Sequence, residues 1–352
     1  MATGKEFNPD QFSQAGSLYE SLDDQTVHCL ACAHRCLIHE GKRGVCLMRR
    51  NEGGRLMVPQ GYVAGAQLDP IEKKPLAHFL PGSQVLTFGM LGCNFHCDFC
   101  QNWYSSQSLR DPQAAGMQDI HPISAQKLVE LAERNGAMSI ASSYNEPTIT
   151  LEWAAEIFKL AKARGLKTAM VSNGFATPEA LRYIRPWLDA LKVDLKSMQE
   201  AQYKRMGGRL QPVLDTIRLA RELGLWVEVV TLVIPGFNDS TEELWQAGRF
   251  LASVSTDIPW HVTAYHPDYH MLEGGPTPAE TLQRAAEIGQ EAGLRYVYAG
   301  NLPGRVGSLE DSFCPKCSTL LIQRRGYRIL KQSVTPEGEC PACGAKIAGV
   351  FG

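Results

Sequence analysis

An α/β fold built on a parallel sheet, closed fully or partly into a (β/α) barrel, is predicted by three observations. From Gln84 onward short apolar runs alternate with amphipathic helical segments. Six or seven such units follow one another. Polar residues able to do chemistry collect just after the apolar runs. Strict strand–helix alternation implies parallel strands joined by right-handed crossovers. Chemistry in such sheets sits at the C-terminal ends of the strands. Cysteine-rich modules flank this body. The expected division is an N-terminal region over 1–83, the barrel over 84–305 and a C-terminal module over 306–352.

Residues 1–27 are polar and expected to be weakly ordered. "CLACAHRCLIHEGKRGVC" (29–46) reads as a compact, loop-rich knuckle, and the Gly- and Pro-rich stretch 54–83 as short strands and turns. Strands are predicted at "QVLTFGM", "MSIASSY", "KTAMVSN", "ALKVDLK", "WVEVVTLVI", "WHVTAYH" and "LRYVYAG". Helices are predicted at "SAQKLVELAERNG", "LEWAAEIFKLAKARG", "PEALRYIRPW", "PVLDTIRLARELG", "TEELWQAGRFLASV" and "AETLQRAAEIGQEAG". Several helices end in Gly after a polar or basic last turn, a usual stop signal. After successive strands come "GCNFHCDFC", "NEPT", "NG", the end of "DLK", "PGFND" and "YHP". Turn-forming preference explains the Asn-Gly and Pro-Gly pairs. It does not explain Glu146, Lys196 and His266.

A chain of 352 residues, 44% hydrophobic and 20% charged, is ordinary for a globular protein. Its net charge of -2 argues against bulk nucleic-acid or membrane-surface binding. No apolar run is long enough to span a membrane. The start, "MATGKEFNPDQFSQAG", lacks the apolar core of a signal peptide, so the cytoplasm is the expected location. The eleven cysteines fall as four in 29–46, three in 93–100 and four in 314–343. Clusters of this kind in a reducing compartment read as metal or iron–sulfur ligands, not disulfides.

In "GCNFHCDFCQNW", Cys93, Cys97 and Cys100 are spaced CxxxCxxC. Two readings fit. One is zinc completed by His96, and the other a [4Fe–4S] cluster with one iron left without a protein ligand. Cys314–Cys317 and Cys340–Cys343 are two CxxC pairs with 22 residues between them, a zinc-ribbon pattern that a rubredoxin-like iron site also uses. Arg324, Arg325, Arg328 and Lys331 make this module basic. Cys29, Cys32, Cys36 and Cys46 can close a four-thiolate site around zinc or a second cluster. His34 is either a substitute ligand or an N–H donor to sulfur.

CxxxCxxC directly after the first barrel strand, with Phe99 before the third cysteine, resembles the signature of radical S-adenosylmethionine (SAM) enzymes. "CQNW", "DLK" and "YHP" resemble the glycyl-radical-activating-enzyme branch. From about Cys29 to the C-terminus the chain resembles the radical SAM component of the AmmeMemoRadiSam system. The segments that carry this are "CAHRCLI…GVC", "IEKKPLAHFLPGS", "SYNEPT", "VDLK", "WVEVVTLVIPGFNDS", "HVTAYHPDY", "YVYAGN" and "CPKC…CPACG". Ser142-Ser143 depart from the Tyr-Thr expected before "YNEPT".

The resemblance implies a partial (β/α)6-type radical SAM barrel whose [4Fe–4S] cluster is held by Cys93, Cys97 and Cys100, with SAM on the remaining iron. It places Phe99 and Asn102 near the adenine, Glu146 on the methionyl amine and Asn173 at the ribose or methionine moiety. Asp194 and Lys196 form a DxK pair, Lys196 reaching the SAM carboxylate. His266 lies near SAM, with His261 and His270 as rivals for that role. A zwitterion needs an acid for its amine and a cation for its carboxylate, and Glu146 with Lys196 supplies both. Implied partners are an electron donor of the flavodoxin or ferredoxin class, a Memo-like protein and an AMMECR-family protein. The expected activity is reductive cleavage of SAM to a radical that takes hydrogen from a small molecule or a protein or peptide residue. The alternatives are an RNA-modifying relative using the basic ribbon, and a zinc-stapled scaffold with a degenerate loop.

Overall fold

The computed structural model describes residues 8–114 and 120–352. Seven parallel strands appear in chain order: β1 (Gln84–Gly89), β2 (Ser139–Ser142), β3 (Lys167–Ser172), β4 (Ala190–Asp194), β5 (Trp226–Val233), β6 (Trp260–Ala264) and β7 (Val297–Gly300). Each pairs with its predecessor, so the sheet winds in one direction without a switch of strand order. Strand Gly65–Pro70 pairs antiparallel with β1 and forms the other edge. The sheet does not close on itself, and the barrel is partial. The expected boundary after residue 83 falls inside the hairpin that joins Gly65–Pro70 to β1.

The crossover helices are α1 (Ala125–Arg134), α2 (Leu151–Ala163), α3 (Pro178–Ile184), α4 (Leu210–Glu222), α5 (Thr241–Val254) and α6 (Ala279–Glu291). Local chemistry sets their ends. Ser124, Thr177 and Ser240 each accept from a backbone N–H in the first turn. Gly136, Gly165, Gly224 and Gly293 follow helices with positive φ, the left-handed stop that the sequence suggested. The strands are buried almost throughout, as parallel strands covered on both faces must be.

Residues expected to be weakly ordered contribute structure instead. The first seven lie outside the described residues. Ser13–Ala15 pairs with Arg55–Pro59, and Tyr19–Ser21 with Val27–Cys29. The N-terminal knuckle rests on the mouth of the barrel. Cys32 bridges to Ala176 after β3, and the Ala33 N–H donates to Phe175 O at 3.0 Å. Arg49 and Glu152 form a buried pair at 2.5 Å across this junction. Broken on one side, such a pair leaves an uncompensated buried charge, so it fixes the knuckle in one position.

The C-terminal module is a three-stranded sheet, Ser312–Phe313, Leu320–Arg325 and Arg328–Gln332. Its core packs at the N-terminal end of the barrel strands, where Ala77, Tyr296, Tyr298, Cys314, Leu321 and Ile322 come together, and its hairpin tip reaches Pro303 beyond β7 and the mouth at Tyr327. No helix among the described residues is long and apolar enough to cross a membrane.

Candidate functional site

Because β1 to β5 end at one rim, the loops that leave them converge. They line a cavity of about 360 Å³ that includes Cys93, Cys97 and Cys100, Phe99, Asn102, Glu146, Asn173, Asp194 and Lys196. Sequence reasoning had placed each of these residues at the site, and the fold brings all of them to one space. His266 is not among the lining residues. It is exposed in the loop after β6, its ring beside its neighbour's carbonyl, Pro267 O. Thr263 of β6 and Asn301 after β7 take that side of the wall. His261 is buried at the far end of the barrel against Glu228, and the exposed His270 pairs with Asp111 at 3.6 Å.

His96 does not line the cavity either. It is exposed, its backbone N–H donates to Met206 O at 3.0 Å, and its ring packs against Gly207. Gly207 has a φ of 84°, and a Cβ there would strike the imidazole, so only glycine leaves this packing intact. The cysteines face inward while His96 faces out, which removes it as a fourth ligand. Asn102 precedes the short turn Trp103–Ser106, and the Ser106 hydroxyl lies 3.2 Å from Cys100 Sγ. Burial pushes the thiols up, Cys97 to about 12, and Lys196 lowers it again in part. Thiolates at this loop therefore need a cationic partner, which a metal cluster supplies.

Glu146 sits after β2 at 2% exposure. Its Oε1 accepts from Thr148 N–H (3.0 Å), Thr148 Oγ1 (2.9 Å) and Ser172 Oγ (2.7 Å), and its Oε2 from Asn173 N–H at 2.8 Å. Burial raises its pKa and these donors oppose the rise. Oε2 keeps acceptor capacity for one more donor, as a bound ammonium requires. The Ser142-Ser143 departure leaves this carboxylate in place. Asn173 is more occupied than expected: its Nδ2 donates to Asn94 Oδ1 at 2.7 Å and lies 4.0 Å from Cys93 Sγ. It orients the cysteine loop as well as lining the cavity.

On β4, alternation puts Lys192 and Asp194 on the inner face, and Lys196 continues that side beyond the strand. Asp194 pairs with Lys192, and its other oxygen lies 3.3 Å from Lys196 Nζ. Burial disfavours the charge on Lys196, but Asp194, Cys97 and Cys100 outweigh it and hold its pKa above the usual value. Lys196 Nζ also lies 5.9 Å from the centre of the Phe99 ring, within cation–π range. Sequence reasoning missed Lys192, although its two-residue offset from Asp194 signals it. It also missed Lys73, Lys74, Tyr144 and Tyr327, which reach the cavity from three separate segments. Tyr144 has a φ of 69°, donates to Asp69 at 3.0 Å and carries Lys74 over its ring at 4.6 Å.

The third cysteine set differs in kind. Among the described residues, Cys314, Cys317, Cys340 and Cys343 are the group of three or more ligands whose atoms all lie within 4.8 Å of one another. The Cys314–Cys343 and Cys317–Cys340 sulfurs are each 3.7 Å apart. A single tetrahedral metal with bonds of about 2.3 Å sets its sulfurs about 3.8 Å apart, so the four thiols are spaced to fit one metal.

Fold and site together define an open (β/α) barrel with a three-thiolate loop at its mouth and a four-thiolate module at its base. The model of the radical SAM superfamily matches residues 88–251. An uncharacterized protein of Methanocaldococcus jannaschii is 38% identical over 333 residues, which cover 94% of this chain and 97% of that protein. A pyruvate formate-lyase-activating enzyme of Streptococcus mutans is 21% identical over 196 residues, 53% of this chain and 72% of that enzyme. The solved structure of Streptococcus suis SuiB bound to S-adenosylmethionine overlays with a TM-score of 0.49 at 15% identity, covering 66% of this chain and 53% of that one. The barrel segment over 88–251 is a radical SAM superfamily domain, and the chain has homologues of the glycyl-radical-activating kind.

Proposed function

We propose that this chain is an activating-enzyme-like radical SAM enzyme. Cys93, Cys97 and Cys100 hold a [4Fe–4S] cluster whose fourth iron position is taken by SAM. The observation that carries this is the convergence of the three thiols, Glu146 and Lys196 on one cavity. The cavity is within the size range of small-molecule sites. Its charges match a zwitterion, with Glu146 Oε2 open to the amine and Lys196 to the carboxylate. Phe99 and Asn102 flank the adenine, and Asp194 holds Lys196 in position. When bound, the reduced cluster supplies the electron that cleaves SAM to methionine and a 5′-deoxyadenosyl radical, the hydrogen-abstracting species of this chemistry. The protein's part is to orient SAM and keep water away. Phe95 and Phe99, buried and lining the cavity, do the latter.

The substrate is a small molecule or a protein or peptide residue. An RNA substrate has less support. Of the ribbon's basic residues, Arg324 is buried and spent on Ala77 O at 2.8 Å and Ser312 Oγ at 2.8 Å. The ribbon metal is zinc, a reading supported by the two CxxC pairs, while the sulfur spacing fits a single tetrahedral ion. The order of matching segments supports membership of the AmmeMemoRadiSam arrangement, with a Memo-like and an AMMECR-family protein as partners. A cytoplasmic flavodoxin or ferredoxin is the electron donor.

The test is anaerobic incubation of the reconstituted protein with SAM and dithionite. Release of 5′-deoxyadenosine is expected, with deuterium entering it from the substrate once partner proteins or cell extract are added. A reconstituted protein that binds no iron at the barrel mouth would end this reading.

A further inference from the structure

Cys29, Cys32, Cys36 and Cys46 take no part in the site above, yet they form a built metal site next to it. Cys29, Cys32 and Cys46 are buried, and Cys36 is half-buried. All four are free thiols. They converge: the Cys29 N–H donates to Cys36 O at 2.9 Å, Arg35 beside Cys36 donates its N–H to Cys32 O at 3.0 Å, and Val45 beside Cys46 turns toward Cys36. Backbone N–H groups point at their sulfurs, Val45 to Cys36 and Arg49 to Cys46, each at 3.5 Å. Asn94, at 0% exposure, turns its side-chain amide to Cys32. A buried donor beside the set lacks a partner: Nε of Arg49, a residue 2% exposed whose backbone N–H points at Cys46. An orphaned cationic donor beside four thiols fits an anionic sulfur-rich group that would accept from it.

Spacing decides which group. The ribbon shows what one metal demands, sulfurs 3.7 Å apart. Among the described residues the N-terminal set does not draw even three of its sulfurs within 4.8 Å of one another, and neither does the Cys93, Cys97, Cys100 loop. A cluster spreads its thiolates, because each binds its own iron at a different corner of the cube. We propose that Cys29, Cys32, Cys36 and Cys46 hold a second [4Fe–4S] cluster, fully ligated by protein, against the cysteine loop of the barrel. The two loops are tied together. Arg110 donates to Cys93 O at 2.8 Å and to Val45 O at 2.5 Å, and His34 Nε2 lies 3.0 Å from Asn94 O. Asn94 stands between Cys32 and Cys93, with its Oδ1 3.8 Å from Cys93 Sγ.

The test uses the full-length chain with Cys93, Cys97 and Cys100 all changed to Ala, so that the barrel cluster cannot form. It is reconstituted anaerobically with iron and sulfide in the presence of zinc, and its metals are counted. About four irons and one zinc per chain, with a four-iron Mössbauer signature, are expected. Two zincs and no iron would overturn the proposal, as would one zinc and nothing else. Should that variant aggregate, the unmodified protein answers the question: about eight irons support the second cluster and about four overturn it. The triple variant separates this site from the proposed function. Iron retained there upholds the N-terminal cluster even if the unmodified protein never cleaves SAM.

Discussion

The ribbon and the barrel mouth both gather cysteines, but they place them in opposite ways. At the base, four sulfurs close on one point with pairs 3.7 Å apart. At the mouth, three sulfurs stand apart around a cavity whose other walls carry Glu146, Asp194 and Lys196. The first arrangement leaves no room for a reactant, as in structural metal sites. The second turns three thiols and several charged groups to one shared space, as the proposed SAM site requires.

The comparison breaks most sharply at Cys97. Cys97→Ala is expected to remove iron from the mouth and abolish 5′-deoxyadenosine release, while zinc at the ribbon stays at one per chain. Metal analysis and product chromatography read both quantities, and retained SAM cleavage would show that the mouth is not the cluster site. Cys340→Ala is the converse experiment. Loss of one of four ligands should strip the ribbon of zinc and unfold it locally, since structural zinc contributes folding energy outright. Iron at the mouth should remain. If iron were lost as well, the two regions would not be independent.

Much of this division was legible in the sequence. Periodicity and helix-stop glycines gave all seven parallel strands and six crossover helices, because both signals are local. The two CxxC pairs announced a one-metal site, because spacing alone brings four thiols together. Residues whose position depends on packing between distant segments were not legible. Lys74, Tyr144 and Tyr327 enter the cavity from different parts of the chain, and no local pattern links them. His266 was misjudged for the same reason: "YHP" marks the end of β6 but not which residue turns inward there. Arg324 read as one more surface charge, yet it lies buried under the barrel. The spread of the N-terminal sulfurs is likewise three-dimensional, and the cysteine spacing alone, which pointed if anything to zinc, does not show it.

Lys196 tests how the open site differs from a merely loose one. Lys196→Ala should leave cluster assembly near normal and weaken SAM binding by about 10- to 100-fold, the equivalent of about 1.5–3 kcal/mol for a charged hydrogen bond. Equilibrium binding of SAM to the reconstituted variant measures this. An unchanged affinity would remove Lys196 from the SAM site and leave it as a partner of Asp194 alone.

The mildest effect at neutral pH concerns how the ribbon is clasped to the barrel. Buried His78 accepts or donates on both ring nitrogens: Nδ1 lies 2.6 Å from Ala348 O and Nε2 2.5 Å from Tyr298 Oη. Ala348 offers only an acceptor, so Nδ1 carries the proton and Nε2 accepts from Tyr298. Tyr298 in turn meets Ser312 at 2.6 Å, and Ser312 receives Arg324 at 2.8 Å. Glu228 anchors the same segment by accepting from the Ala77 and His78 N–H groups at 2.8 Å, with His261 2.7 Å away. Burial lowers the pKa of His78 to about 4, Glu228 opposing and Arg324 and His261 adding to the drop. In the unfolded chain the histidine binds its proton near pH 6.5. Between those values the unfolded state holds more protons, so acidification destabilises the fold. Glu228, whose folded pKa is lowered mainly by His261 against the cost of burial, loses its contribution in the same direction. Unfolding free energy should therefore fall as pH drops from about 6.5 toward 4, with a share of about 3 kcal/mol from His78 at the full shift of the buried ring. Denaturant titrations of the unmodified protein and of His78→Asn at pH 7 and pH 5 check this. The variant should start less stable and lose less on acidification, and equal pH slopes for the two would show that His78 is not the group that titrates.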